Sequence, residues 1–182
     1  MLGLNLAYRD LLLSVLLVLF ALVMLAKPTD PKDLLQPPGQ LFIYTTWSDL
    51  GGDIDTWMIG PKMAKPIGYD NKDSAICNLV KDDLGTTTDS TGFNYENIFC
   101  REIPDGEYVI NVYSYGVKTL PITVNIQVAM MINGSSVLLF EEKVTLTDPK
   151  QEITVVRFTI KDGKVLPESV HHTFVSLVDY QG

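Results

Sequence analysis

Two different spacings of apolar residues divide this chain. Leu11 to Ala26 is an apolar run of sixteen residues in which Ser14 is the only polar side chain. Beyond Leu41 the apolar positions instead alternate with polar ones over short stretches, which is the spacing of half-buried strands. A helix rises about 1.5 Å per residue, so a bilayer core of about 30 Å takes roughly 20 residues to cross. A span ending at Ala26 therefore reaches back to about Ala7 and takes Arg9 and Asp10 with it. Asp10 then lies roughly 5 Å inside the boundary.

Residues 27–40 carry four prolines in fourteen positions, which excludes a long helix and favours extended segments. Strands are predicted over Gln40 to Trp47 and Thr56 to Ile59, with a polar turn between them, because both stretches are β-branched and aromatic. Residues 60–97 are rich in Gly, Pro, Asn, Asp and Thr and read mostly as loop, with one short strand at Ala75 to Val80. Further strands follow at Glu107 to Tyr115, Ile122 to Met130, Ser136 to Phe140 and Glu152 to Ile160. Asn133-Gly134 marks a tight hairpin turn. No long helical period occurs after residue 40. The expected architecture is a single N-terminal transmembrane helix (1–26, with a short cytoplasmic tail), a Pro-rich linker (27–40) and an all-β sandwich exported domain (41–182).

Charge and cysteines refine this picture. The net charge of −8 belongs entirely to the part after residue 26, since Arg9 and Asp10 cancel. An acidic domain without a Lys/Arg cluster argues against a nucleic-acid partner. No small-x-small cleavage site precedes Lys27, and an acid abuts the apolar run, so an uncleaved signal anchor is expected rather than a signal peptide. Positive charges are nearly balanced on the two sides, and the short tail before the helix suits insertion with the N-terminus inside. Cys77 and Cys100 are either a disulfide closing a loop of about two dozen residues or two separate buried thiols. Two cysteines at this spacing do not make a zinc site.

Several residues carry candidate chemistry. Asp10 is an acid within an apolar helix, where carboxylates are rare and functional. Ser14, four residues on, shares its helix face. The plainer reading makes Asp10 a helix N-cap or a salt-bridge partner of a neighbouring subunit. Asp53, Asp55, Asp82 and Asp83 supply hard oxygens suited to calcium, with Asp49, Asp70 and Asp73 nearby, although their spacing is not that of an EF-hand. The plainer reading has Asp53 capping a turn and the other acids facing solvent. His171 and His172 are adjacent, so their rings face opposite ways and do not form a paired metal site. Trp47, Trp57, Tyr113 and Tyr115 are either a glycan platform or core and cross-strand residues. No nucleophile elbow is present, and an enzyme is not expected.

Ala7-Tyr8-x-Asp10-Leu11-Leu12, with the unbroken apolar run ending at Ala26-Lys27-Pro28, resembles the single membrane helix of ion-driven motor B subunits. That family includes the flagellar stator subunit MotB and its relatives ExbD and TolR. The resemblance covers roughly 22 of the 182 residues. It implies that Asp10 carries protons or sodium ions, with Tyr8 flanking it. Arg9 departs from the small or apolar neighbour usual there. It further implies a homodimer of this helix inside a ring of multi-spanning A subunits (MotA- or ExbB-like), in a bacterial inner membrane with the C-terminal domain periplasmic. The exported domain departs from the α/β domains of those relatives. Asp53-Ile54-Asp55-Thr56-Trp57, Lys81-Asp82-Asp83-Leu84-Gly85 and Gly106-Glu107-Tyr108-Val109 are instead similar to a β-sandwich module of bacterial exported proteins. The expected function is a motor B subunit whose domain passes force to an envelope or cell-wall partner. The alternative is a signal-anchored exported module that binds glycan or protein without moving ions. Beyond calcium, no cofactor is expected.

Overall fold

A computed structural model describes residues 2–25, 40–48, 51–85 and 93–180, with side chains of the first segment described from residue 8 to residue 21. The expected linker lies outside the described residues except for Gln40, as does Asp49. The chain divides into two compact units, Met1–Gln36 and Pro37–Gly182.

The first unit is one helix, α1 (Leu2–Leu25). It begins well before Ala7, so Asp10 sits in the helix interior and is not an N-cap. Its 24 residues give about 36 Å of backbone. The side chains of residues 8–21 are all exposed. Those fourteen residues cover only about 21 Å, and among the described residues no helix is long and apolar enough to cross a membrane.

The second unit is a pair of antiparallel sheets. Strands β1 (Leu41–Trp47), β2 (Asp53–Ile59), β3 (Cys77–Lys81), β4 (Tyr95–Cys100), β5 (Gly106–Gly116), β6 (Ile122–Ile132), β7 (Ser135–Leu146), β8 (Glu152–Lys161) and β9 (Lys164–Val165) follow in order. One sheet runs β3-β4-β1-β6-β7 and the other β2-β5-β8-β9. Every strand pair is antiparallel. Alternation places Leu41, Ile43, Thr45 and Trp47 of β1 inward, opposite Ile54, Met58, Tyr108, Ile110 and Phe158 of the second sheet. This apolar interior is the main stabilising term of the domain.

The hairpin turns follow their local chemistry. Asn133 and Gly134 adopt φ of 51° and 76°, as the β6–β7 turn requires, and Asp162 and Gly163 repeat the device at 51° and 69° between β8 and β9. Three expectations need correction. Residues 95–100, read as loop apart from their last positions, form β4, which pairs with both β3 and β1. Asp53 and Asp55, expected in a turn, open β2. The strand expected at Ser136 to Phe140 runs on to Leu146, because its whole length pairs with β6.

The C-terminal segment covers the outer face of the second sheet. Leu177 packs with Trp57 and Val109 in a small second cluster. Glu152 holds this segment in place: its carboxylate accepts the Leu177 N–H at 2.7 Å and the Ser176 hydroxyl at 2.7 Å. His171 and His172 are engaged separately, His172 Nδ1 lying 2.6 Å from the Val155 carbonyl and His171 Nε2 lying 3.7 Å from Glu107.

Cys77 lies opposite Cys100 in the β3–β4 register, and the two are disulfide-bonded across a separation of 23 residues. A crosslink closing a loop of that length stabilises by about 3 kcal/mol in the chain-entropy model. Replacing both cysteines by serine is expected to lower the unfolding free energy by that order in a urea titration, and reductant is expected to do the same to the wild-type chain.

Candidate functional site

The acidic site forms where the free edge of β2 meets β4. Strand β2 is the outermost strand of its sheet, so alternate main-chain N–H groups along one side lack a strand partner. Met58 solves this by pairing with Ile67, whose carbonyl accepts its N–H at 3.0 Å. Thr56 donates its N–H to Glu96 Oε2 at 2.6 Å. Glu96 comes from β4 in the opposite sheet and is fully buried. Its other oxygen accepts the Asp83 N–H at 3.4 Å. Below this bond the Thr56 hydroxyl donates to the Thr45 hydroxyl at 2.9 Å, again from sheet to sheet.

Asp55 and Asp82 converge on Glu96. One carboxylate oxygen from each of the three lies within 4.8 Å of the others. Asp55 is only 2% exposed, and its Oδ2 is buried without a hydrogen-bond partner, as are Asp82 Oδ1 and Asp53 Oδ1. Lys72 Nζ pairs with Asp82 Oδ2 at 2.7 Å from the solvent side. Burial, with repulsion from Asp53 and Asp82, pushes Asp55 up to about 8, while Lys150 partly opposes this and Asp70 adds to it. Asp53 rises to about 6, first through burial and then through Asp82 and Asp83. Glu96 is raised well above the usual carboxylate range by burial and by Asp55, against the favourable Thr56 N–H bond. The cluster thus holds acids that are stabilised by either protons or a cation.

Of the four aspartates singled out for calcium, the structure brings Asp55 and Asp82 together and sets Asp53 alongside. Asp83 does not join them. Its Oδ1 accepts the Gly85 N–H at 3.1 Å, and its Oδ2 faces the Tyr95 N–H at 3.3 Å and Lys81 Nζ at 3.1 Å. It ties its own loop to β4. The missing member is Glu96. Glu96, Ile98 and Cys100 share one strand face, but this marks an acid in register with two core residues only once β4 is known to be a strand. Asp70 and Asp73 stay outside the three-acid group.

Of the two readings of the four aromatics, the tryptophans follow the core one, while Trp57, Tyr115 and Tyr113 form a row of ring contacts through Tyr69. Trp47 and Trp57 are buried, and Trp47 Nε1 donates to the Gly52 carbonyl at 2.8 Å. Tyr115 is exposed and packs against Tyr69, with Lys150 Nζ 3.6 Å over its ring. In α1, Ser14 Oγ donates to the main-chain carbonyl of Asp10 at 2.8 Å, so its hydroxyl is turned to the backbone rather than to the carboxylate. Tyr8, Arg9 and Asp10 are exposed on the helix.

Compared with protein-family models, with curated proteins and with solved structures, the chain finds no match.

Raised acid pKa values mean that the folded domain binds protons more tightly than the unfolded chain. The stability they contribute is complete below pH 4 and is lost as pH climbs through about 6 for Asp53 and about 8 for Asp55. With a chelator present, the unfolding midpoint is expected to fall between pH 5 and pH 8.5. In Asp55→Asn that slope should flatten, as followed by thermal unfolding across the range.

Proposed function

We propose that this chain is the single-helix B-type subunit of an ion-driven membrane complex. In this reading α1 inserts in the membrane, Asp10 carries the ion, and the β-sandwich engages a partner in the envelope. The observation that carries the reading is the position of Asp10 inside a continuous 24-residue helix. There it has no capping role, and its i+4 neighbour Ser14 is bonded to the backbone. An acid inside a bilayer carries an insertion cost, about 3 kcal/mol at the centre and less at the shallower depth of Asp10. A tether would gain nothing from bearing that cost. The resemblance of Tyr8-x-Asp10 and its apolar run to motor B subunits supports the same assignment. The disulfide Cys77–Cys100 suits an oxidising compartment for the domain. Two such helices inside a ring of multi-spanning A subunits supply the partners that an intramembrane acid requires.

The second reading, a tethered binding module, treats α1 as an anchor only. It is favoured by the acidic groove of the domain, which needs no helix. Asp10→Asn separates the two. The motor reading expects a multi-spanning partner to co-purify in mild detergent from wild type and variant alike. It expects ion flux, measured in vesicles containing the complex, to fall at least about tenfold in the variant. Wild-type flux in Asp10→Asn, or purification of a lone chain, would leave only the tether.

A further inference from the structure

We propose that Asp55, Asp82 and Glu96, with Asp53 alongside, form a binding site for one calcium ion at the open edge of β2. Two independent observations carry it. The first is convergence: three carboxylates from three separate segments place an oxygen each within 4.8 Å of one another. The second is the unpartnered state of Asp55 Oδ2, a buried oxygen on a residue that is 2% exposed and is itself one of the three converging acids. Asp82 Oδ1 is likewise buried without a partner, on a side chain 9% exposed. Buried carboxylate oxygens normally find donors. Here the hydrogen-bond donors serve other oxygens: Thr56 and Asp83 amides on Glu96, and Lys72 on Asp82 Oδ2.

The donor set selects the ion. All the ligands are hard oxygens and none is His or Cys, which disfavours zinc and the softer transition metals. Three carboxylates offer up to six oxygens, and bidentate contacts of uneven length suit calcium. Magnesium prefers a strict octahedron, keeps several waters and is usually held by one or two carboxylates rather than three. Charge agrees: of the four carboxylates Asp82 pairs with Lys72, and Lys150 acts on Asp53 and Asp55 from further off. A dication offsets much of the remaining negative charge. The proposal is independent of any role of Asp10.

The test uses the full chain in detergent at pH 7.5. Calcium against EDTA is expected to raise the unfolding midpoint by about 5 °C or more, and terbium bound at the site is expected to be displaced by calcium. Asp55→Asn and Glu96→Gln should weaken the apparent calcium affinity by at least about 100-fold, the upper end of the loss seen for partners that touch a ligand only indirectly. Glu168→Gln, on an exposed residue elsewhere in the domain, should change nothing. Because Glu96 also bonds Thr56, Asp82→Asn provides a variant that leaves that bond intact and should lose affinity equally. No calcium shift in the wild type, an equal shift in all variants, or an equal response to magnesium would each overturn the assignment.

Discussion

The bond from the Thr56 amide to the Glu96 carboxylate is the contact on which the rest of the domain depends. An edge strand must satisfy or hide its outward N–H groups. Strand β2 does so partly through Ile67 and partly through an acid delivered from the opposite sheet. That choice joins the two sheets by a polar bond at a place where apolar side chains would otherwise have to close the gap. It also requires a carboxylate with no exposure at all, which is costly unless donors or a counter-charge surround it. The Asp83 amide supplies one donor, and the Thr45–Thr56 hydroxyl pair fills the space beneath.

The same arrangement explains how the edge hairpin β3–β4 is held. At one end Cys77 and Cys100 are joined covalently. At the other, Asp83 fastens the departing loop to the Tyr95 amide, and Asn97 Oδ1 accepts the Lys81 N–H at 2.9 Å, just past a break in the register. A five-residue strand such as β3 has little side-chain area of its own to bury. It stays in register because both ends are fixed, one by a crosslink and one by polar bonds that also form the wall of the acidic groove. Removing either lock therefore disturbs the other through β4.

What the sequence disclosed follows the range of the forces involved. Strands with strong alternation, such as Ile122 to Met130, and turns with a local rule, such as Asn133-Gly134, were legible because a few neighbouring residues decide them. Strand β4 was not. Asn94-Tyr95-Glu96-Asn97 has weak intrinsic strand preference, and it becomes a strand through pairing with β1, some fifty residues away in sequence. Glu96 was overlooked for that reason. Asp82 and Asp83 could not be told apart either. They are adjacent and chemically identical, and only the placement of the Tyr95 and Gly85 amides assigns one to the loop and leaves the other for the groove. The cysteine pairing stayed open in the sequence because it, too, depends on the β3–β4 register.

The helix poses the opposite problem from the groove. At the acidic cluster the chain gathers its own acids and supplies donors to some of their oxygens, the Glu96 carboxylate above all. In α1 nothing among the described residues plays that part for Asp10. Arg9 is its neighbour in sequence, but consecutive helical residues are about 100° apart and do not face each other. Its charge therefore points to a different side of the helix. Ser14 does share the face of Asp10, and its hydroxyl is turned to the main chain. An acid so placed meets its partner from outside this helix, in water or in another chain. Arg9 by the same geometry faces a second side of the helix, so the two charges need not cancel. That separation makes a one-sided role for Asp10 compatible with a cation beside it.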